Sequence, residues 1–220
     1  MMKVKGCIFD LDGVIVDTAR YHFLAWKRLA EKLRIPFTEE DNENLKGVSR
    51  DDSLEIILGI GKVRMDDAEK KKYTSLKNEW YLDYIRKMNP DEILPGAVEF
   101  ISELRNAGIM TALGSASKNT TVILERLHIK SLFDAVVDGN SVHKTKPDPE
   151  VFLLAAQMIS AAPGQCIVFE DAAAGVQAAL NAGMICIGVG SEKVLAKAHY
   201  IISGLHDMSL EKLNKIHGEG

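Results

Sequence analysis

Short apolar runs alternate along the chain with stretches whose apolar residues recur every three or four positions. The runs at 4–9, 109–114, 135–137, 166–169, 185–189 and 200–202 have the length and composition of strands. Several are apolar throughout, as in a parallel sheet covered on both faces. Between them a helical period predicts helices at 96–107, 120–127, 149–161 and 175–182. Pro149 suits a first helical turn, and Gly108 and Gly183 stand where left-handed residues would end two of these helices. A βαβα order of this kind predicts an α/β fold built on a doubly wound parallel sheet.

Residues 18–88 break the alternation. They carry no convincing strand and read as helices at 19–33, 38–44, 50–58 and 66–87. Thr38-Glu39-Glu40-Asp41 has the form of a capping box. Asp66-Asp67, ahead of a lysine-rich stretch, suits the positive end of a helix dipole. The turn-rich exit, 89–96, reads as a linker. The expected organisation is an α/β domain of residues 1–17 and 93–220, interrupted by a small helical domain at 18–92.

The 220 residues allow one large domain or two modest ones at roughly 100–200 residues each. Lys and Arg number 27 against 31 Asp and Glu, a net charge of −4. Binders of nucleic-acid phosphates are usually basic, so nucleic acid is not an expected partner. No apolar run approaches the roughly 18 residues of a membrane span. The first apolar stretch is too short for a secretion signal and stops at Asp10, so a cytoplasmic protein is expected. Cys7, Cys166 and Cys186 are far apart in apolar runs and read as buried free thiols. The histidines at 128, 143, 199, 206 and 217 lack ligand spacing, so no zinc site is expected.

Polar residues gather where the strands end. The first strand runs into Asp10-Leu11-Asp12-Gly13. In open parallel sheets, ligands bind at the carboxyl ends of the strands. Two acids this close need a cation between them or a raised pKa on one. The next strand ends in Ser115-Ala116-Ser117-Lys118-Asn119, which offers hydroxyls, backbone N–H groups and a cation ahead of a helix. The run at 135 leads to Lys144-Thr145-Lys146-Pro147, with Lys146 held extended before a proline. The run at 166 ends in Glu170-Asp171. Acids that hold Mg²⁺ beside cations that hold phosphate are the groups phosphoryl transfer needs.

These four strand ends resemble the four motifs of the haloacid dehalogenase superfamily, and the helical insert resembles its small α-helical cap. The likeness implies a Rossmann-like core. Closer still, 45–54, 115–119, 21–26 and Lys77-Asn78 are similar to sugar phosphomutases of that superfamily. Gly114 departs from that pattern, where a larger small residue is expected.

The resemblance implies the following roles. Asp10 is the nucleophile that forms an aspartyl phosphate, and Asp12 is the general acid–base. Asp10, the Asp12 backbone carbonyl, Glu170 and Asp171 hold Mg²⁺. Ser115 and Lys146 hold the transferring phosphoryl group, with Ala116 among the phosphate contacts. Arg50, Ser117, Lys118 and Asn119 hold a second, distal phosphate. Trp26, Ser53, Lys77 and the 45–48 loop, through Leu45, Gly47 and Val48, shape a sugar site. Thr18 and His22 gate closure. The implied reaction interconverts β-D-glucose 1-phosphate and glucose 6-phosphate through the aspartyl phosphate, with glucose 1,6-bisphosphate as intermediate and activator. A monomer acting on small sugar phosphates is expected.

Two rivals stand beside this reading. A sugar-phosphate phosphatase would share every core motif and differ in lacking the distal phosphate site. A non-catalytic binding protein on the same scaffold would lack Asp10 or Asp12, and both are present.

Overall fold

The computed structural model describes residues 4–45 and 48–218. The chain divides into two compact units, one of residues 1–17 and 89–220, the other of residues 18–88.

Among the described residues of the first unit, six parallel strands form one sheet in the order β3-β2-β1-β4-β5-β6. They are β1 Gly6–Phe9, β2 Met110–Gly114, β3 Ala135–Val137, β4 Cys166–Glu170, β5 Ile185–Val189 and β6 Tyr200–Ile202. The doubly wound α/β fold expected from the apolar runs is present. β1 has β2 on one side and β4 on the other, so the winding reverses there, where such sheets bind ligands.

Side chains alternate across a sheet, and both faces of this one are covered. Ile8, Ala112 and Val168 pack in a cluster with Phe152 and Ala155 of α7, Glu150–Met158, and Val176 and Ala179 of α8, Ala173–Asn181. On the other face Phe9 stacks on Phe169 with ring centres 4.8 Å apart, and Phe100 of α5, Ala97–Asn106, meets both edge-on. The three cysteines are buried and free. Burial pushes the Cys166 thiol up to about 11 and the Cys186 thiol up to about 12, so both pack as neutral thiols.

Sequence and structure differ in a few places, each with a local reason. Pro149 precedes α7 as its N-cap residue, and the helix stops at Met158, short of the expected 161, just before Ser160 turns to a φ of +55°. Lys146 lies in a turn closed by the Asp148 N–H donating to the Thr145 carbonyl at 3.0 Å, and its peptide bond to Pro147 is cis. Gly108 and Gly183 do adopt the left-handed conformation just after α5 and α8. α6, Thr120–Arg126, lies where a helix is expected, whereas α9, Glu192–Leu195, and α10, Leu210–Gly218, are not expected from the pattern.

The second unit holds α1 Ala19–Lys32, α2 Glu39–Glu43, α3 Arg50–Gly61 and α4 Asp67–Ile85. α2 and α4 both start with capping boxes, Thr38 with Asp41 and Asp66 with Glu69. Ser49 caps α3 by accepting from the Asp52 N–H. Trp26, Leu29, Leu54 and Ile57 anchor the unit's apolar core.

The unit ends at Met88, four residues earlier than the sequence suggests. Residues 89–92 close on themselves, because Asn89 accepts from the Asp91 N–H and Glu92 accepts from the Asn89 N–H. Ile93 then pairs with Val16, and the Leu94 N–H donates to the Ile15 carbonyl at 2.9 Å. The exit segment thus belongs to the α/β unit.

Candidate active site

Asp10 follows β1 directly and extends its ladder by one bond, donating its N–H to the Phe169 carbonyl at 2.9 Å. This sets it beside Glu170, the last residue of β4. Lys146 reaches both acids from the loop before α7. Its Nζ lies 2.5 Å from Asp10 Oδ1 and 3.1 Å from Glu170 Oε2, and all three side chains are buried. The loop carrying Lys146 is tied down by Glu150, which accepts from the N–H groups of His143 and Lys144. The Lys146 ammonium also sits over the Phe152 ring, 4.7 Å from its centre.

Carboxylate oxygens of Asp10, Glu170 and Asp171 lie within 4.8 Å of one another. Two glycines make this crowding possible. Gly13 turns the chain at φ +75°, and a β-carbon there would collide with the Asp171 carboxylate. A β-carbon on Gly175 would collide with Glu170. Asp12 stands in the tight loop after β1, which is closed by a bond from the Gly13 N–H to the Val16 carbonyl.

Burial works against the Lys146 charge, but Asp10 and Glu170 outweigh it and hold its pKa above the usual lysine value. Burial pushes the Glu170 carboxyl well above the usual carboxylate range, with Asp10 and Asp171 adding to the rise and Lys146 opposing it. Three acids face one ammonium, so negative charge is in excess. The donors are all hard oxygens. The cluster therefore fits a divalent metal of the Mg²⁺ type, which takes carboxylate oxygen, rather than zinc, which favours nitrogen and sulfur.

Ser115 is buried at the end of β2, and its Oγ accepts from the Ser117 N–H at 3.1 Å. Ser117 Oγ accepts from the Asn119 N–H, and Lys118 and Ala116 are exposed. The turn after β3 braces this loop. The Gly139 N–H donates to the Ser117 carbonyl, Asn140 Nδ2 donates to the Lys118 carbonyl, and Asp138 holds the turn by accepting from Asn140 and Ser141. The sequence reading passed over Asp138 and Asn140. The strand-end rule that drew attention to Asp10 and Ser115 points to them too.

Within the helical unit a second group of proposed residues comes together. Lys77 is buried, with its Nζ 3.0 Å from His22 Nδ1 and 4.6 Å and 4.9 Å from the ring centres of Trp26 and Tyr81. An ammonium can only donate, so His22 Nδ1 is the acceptor. Burial, then Lys77 and Arg50, hold the His22 pKa well below its usual value. Arg50 opens α3. Ser53 is buried there, and its hydroxyl donates to the Ser49 carbonyl. Leu45 is buried in the unit's core, with its carbonyl accepting from the Val48 N–H. Thr18 is buried ahead of α1 and accepts through its carbonyl from Tyr21 and His22. Gly47 lies outside the described residues.

An acid pair at the end of β1, an acid pair at the end of β4, a buried lysine between them and a hydroxyl loop at the end of β2 define a class. The chain belongs to the haloacid dehalogenase-like hydrolase family, whose profile matches residues 4–183. Its likeness to one kind of member runs over nearly the whole chain. The β-phosphoglucomutase of Bacillus subtilis (strain 168) is 44% identical over 96% of this chain and 95% of its own. The crystal structure of a β-phosphoglucomutase from Clostridium difficile matches with a TM-score of 0.93 at 37% identity, covering 98% of each chain. A phosphorylated carbohydrates phosphatase of Thermotoga maritima is also similar, at 32% identity over 82% of each chain.

Proposed function

We propose that the chain catalyses the β-phosphoglucomutase reaction, interconverting β-D-glucose 1-phosphate and glucose 6-phosphate. The observation that carries this reading is the 44% identity to a β-phosphoglucomutase across nearly all of both chains. The likeness to the phosphatase is weaker and covers less of the chain.

In the reading we infer, an Asp10 oxygen attacks the phosphorus of glucose 1,6-bisphosphate. The bond from phosphorus to the sugar oxygen breaks, and Asp12 gives that oxygen a proton. In the other direction Asp12 takes the proton from a sugar hydroxyl as its oxygen attacks the phosphate on Asp10. The bisphosphate so formed can return either phosphate to Asp10, which completes the isomerisation. Bound among Asp10, Glu170 and Asp171, Mg²⁺ supplies the positive charge that lets an anionic carboxylate approach an anionic phosphate.

The Lys146 ammonium and the Ser115 hydroxyl donate to the oxygens of the transferring group, where charge develops. The Ser115 oxygen already accepts from the Ser117 N–H, which leaves its own O–H to donate. Arg50, Ser117, Lys118 and Asn119 hold the phosphate that is not reacting. Trp26, Ser53, Lys77 and the segment from Leu45 to Val48 serve the sugar, and Thr18 and His22 take part in closure. The chain acts in the cytoplasm as a monomer. Among the described residues no helix is long and apolar enough to cross a membrane.

The test supplies Mg²⁺, β-D-glucose 1-phosphate and a trace of glucose 1,6-bisphosphate, then compares glucose 6-phosphate formed with phosphate released. Glucose 6-phosphate in large excess is the expected result. Free phosphate as the main product would make the chain a phosphatase.

A further inference from the structure

A buried ammonium that serves phosphoryl transfer has to change partners. In this structure the Lys146 Nζ is shared between Asp10 and Glu170. When Asp10 turns to phosphorus, the ammonium has to release it and donate to a phosphoryl oxygen instead. Glu170 keeps its contact at 3.1 Å through that exchange, and a second group has to support the nitrogen without adding another anion to a site already rich in acids.

The side chain placed to do so is Phe152. Its ring lies under the Lys146 ammonium at 4.7 Å, and the ring is fully buried. The face of an aromatic ring attracts a cation through its quadrupole, most strongly where water is excluded. It brings no net charge, so it does not deepen the excess of carboxylates.

The ring itself is fixed from two directions. Phe152 sits in the first turn of α7, and its N–H donates to the Pro149 carbonyl at 3.1 Å. Glu150, two residues earlier, holds the loop that carries Lys146, so ring and ammonium hang from one braced element. On the other side the ring presses against β2 at Gly114. A β-carbon on residue 114 would stand 2.9 Å from Phe152 Cδ1 and 3.1 Å from Cε1. The departure noted at Gly114 thus has a structural consequence, because the missing side chain is the space the ring fills.

We propose that Phe152 is a positioning residue for phosphoryl transfer. Its ring, seated against Gly114, holds the Lys146 ammonium in register while the ammonium passes from Asp10 to the phosphoryl group. The proposal rests on the functional reading above and assigns a part to a residue outside the four motifs.

The test replaces Phe152 with a series of progressively fluorinated phenylalanines in the full chain with Mg²⁺. Fluorine nearly preserves the ring's shape and drains the negative charge from its face. Three quantities are measured: kcat and KM for β-D-glucose 1-phosphate, single-turnover phosphorylation of Asp10 by glucose 1,6-bisphosphate, and Tm. The expected result is a graded loss of kcat and of the phosphorylation rate with each fluorine. The trifluorinated ring should lose about tenfold, equivalent to about 1.4 kcal/mol. KM should stay within about twofold and Tm nearly unchanged, because fluorination keeps the ring's packing; a ring that merely fills the core would leave kcat unchanged as well. Phe152→Leu, which keeps apolar bulk without a π face, should lose at least as much rate. A trifluorinated enzyme with wild-type kcat would overturn this inference alone. Absence of phosphate on Asp10 in the wild type would overturn the functional reading and this inference with it.

Discussion

Lys146 and Asp10 stand 136 positions apart in the chain, yet the ammonium of one lies 2.5 Å from the carboxylate of the other, both buried. Removing one partner of such a pair leaves an uncompensated buried charge, at a cost of about 3–5 kcal/mol. Lys146→Met should therefore lower Tm in metal-free buffer, and Mg²⁺ should recover part of the loss by supplying positive charge to the acids. Mutase activity should fall by about a hundredfold or more, as when a single transition-state donor is removed. Thermal melts with and without Mg²⁺, beside a kcat measurement, check this. A variant with wild-type turnover would remove Lys146 from the chemistry.

The acid cluster should respond directly to metal. A ligand that binds only the folded chain stabilises it, by about 2.7 kcal/mol at one hundred times its Kd. Tm of the wild type should rise with Mg²⁺ concentration, and Asp171→Asn should need more Mg²⁺ for the same rise. Chelator should stop turnover, and excess Mg²⁺ should restore it. Full activity in excess chelator would contradict the assignment of Asp10, Glu170 and Asp171.

The buried side of His22 sets a pH dependence. The groups facing it are Lys77, Arg50 and the Tyr81 ring, so the neutral imidazole is favoured in the folded chain. The unfolded chain takes up this proton near the ordinary value of 6.5, and the folded chain does so only at lower pH. Between those points the unfolded state binds more protons, so stability falls as the pH drops below about 6.5. His22→Asn keeps an acceptor without the titration. Its Tm should fall less steeply than that of the wild type between about pH 7.5 and about pH 5. Parallel Tm curves would contradict the argument.

Arg50 separates the two functional readings. Losing one charge-assisted contact to a phosphate costs roughly 1.5–3 kcal/mol. Arg50→Ala should then lose about ten- to a hundredfold in mutase kcat/KM. Hydrolysis of the phosphate on Asp10 needs no second phosphate and should fall far less. The ratio of glucose 6-phosphate to released phosphate should drop in the variant. A ratio that is already low in the wild type and does not change would favour the phosphatase reading.

The strands at 135–137, 185–189 and 200–202 were legible to the residue, because a buried parallel strand is apolar on both faces and its ends are polar. Helix ends were less so. α3 runs on through Gly59 and Gly61 and closes at Lys62 with a φ of +51°, so glycine did not break it where the pattern suggested. α9 is only four residues long, and α10 does carry a helical period in Leu210, Leu213 and Ile216, but over just nine residues that otherwise are mostly polar. The acids and Lys146 could be placed at strand ends from sequence. Their contacts could not, because those depend on the order in which distant strands line up. Phe152 reads as one more apolar residue on a buried helix, and only the fold sets its ring under an ammonium. Asp138 and Asn140 follow a strand that was recognised, and they were passed over in favour of the more conspicuous lysines beyond.

The measurement that bears most directly on this account is the location of phosphate on the protein. Wild-type chain and Asp10→Asn are each incubated with Mg²⁺ and glucose 1,6-bisphosphate, quenched in acid and mapped by peptide mass spectrometry. One phosphate is expected on Asp10 in the wild type, lost on adding glucose 6-phosphate or β-D-glucose 1-phosphate, and none in the variant. Phosphate on a serine or histidine, or continued turnover by Asp10→Asn, would contradict it.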